Sequence, residues 1–97
     1  MYASVRRATF CPGSVEEVIQ RVNDTFVPAL AGISGFVEFY LVRLENDMVS
    51  TITVFETQAG AQEINTFFSG WAKRELASFL QAPPELAIGE VAVHTAK

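Results

Sequence analysis

The sequence predicts an α+β domain: a four-stranded antiparallel sheet with helices on one face, in the order strand, helix, strand, strand, helix, strand. Three observations carry that reading. Alternating segments stand near both ends of the chain, two segments of helical periodicity lie between them, and the helices flank a hairpin whose apolar residues fall on both of its faces.

Tyr2 to Phe10 alternates and is rich in β-branched and aromatic residues, so it reads as the first strand, stopped by Cys11-Pro12-Gly13-Ser14. Ser14 with Glu17 three residues on has the form of a capping box, and Val15, Val18, Ile19, Val22 and Phe26 recur at helical spacing. Pro28 has no N–H to give to the preceding turn, so helix one is expected to kink there or to restart as a short segment reaching about Ala31. Gly32 and Gly35 mark the exit.

The hairpin follows as GFVEFYLVRL, a polar break END, and MVSTITVFE. Thr57 is a candidate N-cap, and Ile64, Phe68, Trp71, Ala72, Leu76 and Phe79 form an apolar stripe, which predicts helix two from about Ala59 to Leu80. Gly70 in its middle marks either close approach of another backbone or a weak point. Pro83-Pro84 breaks the chain, and Ala87 to Thr95 alternates as the final strand. Two strand-helix-strand halves joined by a hairpin give a single ferredoxin-like domain over residues 1–97.

Simple alternation puts Val37, Phe39 and Leu41 on one face of the first hairpin strand and Phe36, Tyr40, Val42 and Leu44 on the other. The chain's own helices can cover one face only. A second copy covering the other makes a homodimer whose C2 contact is self-complementary.

Composition agrees. Hydrophobic residues make up 49% of the 97 residues and charged residues 19%, below the roughly 25% of average domains. That excess has no membrane destination, since no run approaches the roughly 18 apolar residues of a span. A net charge of -4 with scattered basic residues argues against a nucleic-acid partner. The opening MYASVRRATF lacks the layout of a secretory signal, so a cytoplasmic location is expected. A lone Cys11 makes neither a disulfide framework nor a cysteine-based metal site.

Gly35-Phe36 to Tyr40, Val49-Ser50 to Phe55-Glu56, Ala59-Gly60-Ala61 with Glu63, and Trp71 to Leu76 together resemble the antibiotic biosynthesis monooxygenase-like domain of the dimeric α+β barrel superfamily. The resemblance covers nearly the whole chain and implies a ligand cavity between helices and sheet, with the dimer contact on the opposite sheet face. It also spans several chemistries, among them cofactor-free monooxygenation of phenols and haem degradation. The haem-degrading members share an Asn on the first strand with a Trp and a His on the helices. Only Trp71 matches that set here, so chemistry without a cofactor is the expectation.

For the cofactor-free oxygenases the resemblance implies Asn65 and Trp71 on helix two. Oxygenation without a cofactor needs an acidic phenolic substrate held as its anion in a dry pocket with donors to the developing oxyanion. Asn65 and Trp71 could donate there, with Tyr40 through its hydroxyl, while Phe68 and Arg74 would contact the ligand. Each also has a plainer role: Trp71 as core filling, Tyr40 with its hydroxyl at the rim, Asn65 bonded to nearby backbone. His94 and Glu90 share a strand face but lie about 13 Å apart, too far for contact, and Glu38 is the odd charge in the hairpin. Two functions stay open: a cofactor-independent monooxygenase acting on an aromatic or polyketide-like phenol, and a non-catalytic homodimer that binds a small ligand or serves in a stress response.

Overall fold

Alternation in Tyr2–Thr9 places Ser4 and Arg6 inward and Val5 and Arg7 outward, and this strand, β1, becomes a central strand of the sheet in the computed structural model, which describes residues 1–97. The remaining elements are α1 (Val15–Arg21), a π-helical turn (Val22–Phe26), α2 (Val27–Ala31), β2 (Phe36–Arg43), β3 (Met48–Phe55), α3 (Gln58–Glu75), a 3-10 turn (Ala77–Phe79) and β4 (Glu85–Glu90). The sheet order is β2-β3-β1-β4 with every neighbouring pair antiparallel. That is the expected ferredoxin-like arrangement, helices on one face. No helix is long and apolar enough to cross a membrane.

The core lies between the layers. Val18, Val22, Phe26 and Leu30 from the first helical stretch meet Ile64, Phe68 and Trp71 of α3 over Val49 and Phe55 of β3. Phe26 is fully buried at the centre, with ring centroids 4.6 Å from Phe68, 5.3 Å from Trp71 and 5.5 Å from Phe39. Pro28 acts as expected: the helix restarts at Val27, whose amide bonds five residues back to Val22. The π-helical turn absorbs the register that Pro28 cannot continue.

Four local expectations are corrected. Ser14 is the N-cap residue of α1, but its hydroxyl donates to the Cys11 carbonyl at 2.6 Å and caps nothing, so the capping box with Glu17 does not form. Helix two ends at Glu75 rather than Leu80, because Leu80 bridges to Phe10 and Gln81 donates to the Thr9 carbonyl, pinning this segment to the end of β1. The last strand is Glu85–Glu90, not Ala87 to Thr95. Its partner runs out where Glu90 pairs with Tyr2, and beyond that only the Val91 amide finds a backbone acceptor on β1's side, the Met1 carbonyl.

The fourth correction concerns the hairpin. A β-bulge between Phe36 and Glu38 leaves Val37 as the extra residue, so Phe36 pairs with Phe55 and shares the helix face with Phe39 and Leu41. Glu38, Tyr40 and Val42 take the outer face. At the other end Asn46 and Asp47, both at φ near 60°, form the tight primed turn suited to strand twist. The outer face still carries an apolar row across the strands, Tyr40 beside Ile52, Ile52 beside Val5, and Val5 beside Ala87. Tyr40 is 53% exposed there and Val5 42%.

Candidate functional site

Arg6 is the residue that sequence reasoning passed over. Its position on the inward parity of β1, between Thr51 of β3 and Leu86 of β4, sends a guanidinium beneath α3. Arg6 is only 8% exposed, and none of the ion pairs includes it. Its Nη2 donates to Asn65 Oδ1 and, at 3.4 Å, to Ser69 Oγ, while Cζ lies 4.1 Å from the centroid of the Phe68 ring. Asn65 and Ser69 stand one turn apart on α3, with Phe68 between them in sequence, so a single helix face supplies all three contacts. Burial pushes the Arg6 guanidinium below its ordinary range. The signal was there to read: an Arg at an inward position of a strand that otherwise alternates.

Arg6 is also the one charged group lining the cavity between the layers. The other walls are apolar, among them Val18, Leu41, Val49, Phe68 and Leu76, with Thr51 as the second polar member. The void there measures about 30 Å3. A wider groove of about 1090 Å3 runs between α1 and β2 over Ile19, Phe36 and Phe39, but its charges are already matched, Arg43 with Glu16 and Glu17 with Arg21. An unpaired cation distinguishes the inner cavity.

The expected set does not converge on that cavity. Asn65 and Phe68 do, through Arg6. Trp71 is buried, and its indole N–H donates to Thr25 Oγ1 at 3.0 Å, away from the lining residues. Tyr40 lies on the opposite side of the sheet, where its hydroxyl donates to Glu38 Oε2, and this bond together with the carboxylate's charge raises its pKa. Arg74 is exposed, its Nη1 folded back toward Gly70 of its own helix. His94, which shares no contact with Glu90, has Nε2 3.5 Å from Glu38 Oε1, so the C-terminal segment reaches β2 across the end of the sheet.

No family model and no curated protein matches the sequence. Solved structures do match. A protein described as an antibiotic biosynthesis monooxygenase superposes with a TM-score of 0.75 at 10% identity, over 96% of this chain and 100% of the other. This chain has the antibiotic biosynthesis monooxygenase fold. NE2512 from Nitrosomonas europaea, a protein of unknown function, matches with a TM-score of 0.83 at 18% identity over 99% of this chain and 93% of its own. A mutant of MhuD, holding two manganese protoporphyrin IX molecules per active site, matches with a TM-score of 0.78 at 17% identity over the whole of both chains. One fold thus spans an antibiotic biosynthesis monooxygenase, a porphyrin-binding protein and one with no assigned activity, and the residues must choose among chemistries.

Proposed function

We propose that the chain is a homodimeric, cofactor-independent monooxygenase that takes an aromatic, phenolic small molecule between α3 and the sheet. The observation that carries this reading is the Arg6 guanidinium, which lines a largely apolar cavity and is held from α3 by Asn65 and Ser69. The shared fold supports the reaction class. Because Asn65 Oδ1 accepts from Arg6, its amide is oriented with the two Nδ2 hydrogens free to donate to a bound oxyanion. The apolar walls exclude water, which strengthens those donors and keeps the substrate anion reactive toward dioxygen. One atom of dioxygen would enter the substrate and the other leave as water, the electrons coming from the substrate alone. The apolar outer row supports pairing of two sheets face to face, which buries Tyr40, Ile52 and Val5 against a second copy.

The small void favours a second reading, a non-catalytic homodimer that binds a small ligand, because about 30 Å3 holds no aromatic ring without movement of the walls. Oxygen uptake with an anthrone and hydroquinone panel separates the two. The oxygenase reading expects uptake that depends on protein and falls at least tenfold in Asn65→Ala, since removal of one oxyanion donor commonly costs that much or more. Binding without uptake transfers the case to the second reading.

A further inference from the structure

Three of the five N–H donors of Arg6 have no acceptor in the protein. Both of its hydrogen bonds leave from Nη2, so Nε and Nη1 are unclaimed. No polar side-chain atom in the chain is both fully buried and unpaired, which places those unclaimed donors on accessible space. Arg6 is the one charged residue on the inner cavity, whose remaining walls are almost wholly apolar. A guanidinium removed from water without a carboxylate is costly. A second copy docked on the outer face supplies no counter-charge, because the whole sheet intervenes.

We propose that Arg6 is the anion-holding residue of an acid-binding site, its ligand an apolar body carrying one oxyanion, a carboxylate or an ionised phenol. The ligand's body enters the cavity beside Phe68, Leu41 and Leu76 by displacing those side chains and widening the void, and its oxyanion accepts from the Nε–H of Arg6. Asn65 and Ser69 hold Nη2, and the Phe68 ring backs the guanidinium plane, so the cation is fixed before the ligand arrives. Arg6 thereby sets specificity by charge: a neutral analogue of the same shape leaves the donors unpaired. The inference rests on the proposed cavity but not on its oxidative chemistry.

Binding of benzoate and phenylacetate, measured by calorimetry against benzamide and phenylacetamide, tests it. The acids are expected to bind about tenfold or more tightly than the amides, the scale of a hydrogen bond to a charged group. Naphthol titrated across its own ionisation separates the two oxyanion sources: binding that strengthens only as the phenol ionises identifies the phenolate as a ligand. Arg6→Met should abolish the preference for acids. Should that variant fail to fold, the Arg6 Nε–H resonance of the unaltered protein must shift on adding benzoate and stay put with benzamide. Equal affinity for acids and amides, no binding of either acid, or a resonance that ignores bound benzoate would each overturn the assignment. Acids that bind while oxygen uptake is absent leave the site standing and remove only the oxygenase reading.

Discussion

Trp71 donates its indole N–H to the hydroxyl of Thr25 at 3.0 Å, and that hydroxyl in turn donates to the Arg21 carbonyl at 2.8 Å, so α3 is tied to the π-helical turn through one threonine. Val occupies nearly the same volume as Thr but cannot accept. Thr25→Val therefore leaves a buried donor without a partner and should lower stability by about 1–3 kcal/mol. Chemical denaturation with an unchanged m-value measures it. In the double variant with Trp71→Phe the losses should sum to less than their parts, since Phe has no donor to orphan. Strict additivity would remove the bond from the account of Trp71.

Tyr40 and Glu38 make a pH prediction on the outer face. The Glu38 carboxylate accepts the Tyr40 hydroxyl and repels its phenolate, which raises the Tyr40 pKa above the ordinary 10.0. A pKa raised in the folded state means stability that is complete below the unfolded value and is lost as pH climbs from there through the folded value. Spectrophotometric titration should find Tyr40 ionising later than a free tyrosine, and Glu38→Gln should bring it back. An unmoved titration in that variant would assign the shift elsewhere.

Much of the fold was legible because periodicity survives folding: β1, the restart at Pro28, the Thr57 cap, whose hydroxyl accepts from the Gly60 amide, and the sheet topology follow from spacing and turn chemistry. The bulge at Val37 was not, because one extra residue reverses side-chain parity without any change in composition, and it moved Phe36 to the other face. The site suffered from the same limit. Asn65 and Phe68 could be placed from helical spacing, whereas Trp71 and Tyr40 needed to be seen with partners 46 and 2 residues away, Thr25 and Glu38. Arg6 was hidden by its residue type, which ordinarily marks a solvated surface.

The row Tyr40, Ile52, Val5 and Ala87 makes the dimer testable without touching the cavity. Val5 already reaches solvent within one chain, so Val5→Glu should change the stability of a lone protomer by no more than about 0.5 kcal/mol. In a face-to-face pair the same carboxylate is buried and meets its symmetry mate nearby. Sedimentation at micromolar concentration should find the natural sequence dimeric and Val5→Glu monomeric, with equal far-ultraviolet circular dichroism. A monomeric natural chain would end the proposal of sheet pairing.

Gly70 and Gly60, both in α3, should respond to alanine with opposite signs. An added Cβ at Gly70 meets nothing within 4 Å but the end of the flexible Arg74 side chain at 3.7 Å, so no neighbouring backbone in this chain requires the glycine, and it is the weak point of the helix. Gly70→Ala should stabilise by roughly 0.5–1 kcal/mol through helix propensity alone, raising Tm by a few degrees for a chain of this size. At Gly60 the added Cβ would stand 3.0 Å from Cδ1 of Phe55, a ring with no exposed surface and no direction in which to yield, and 3.3 Å from the capping hydroxyl of Thr57. Gly60→Ala should therefore lower Tm despite the same gain in propensity, since displacement of a packed core ring and of the cap outweighs it. Thermal scans of the two variants decide the matter, and a destabilising Gly70→Ala would mean that helix propensity does not set the stability at that position.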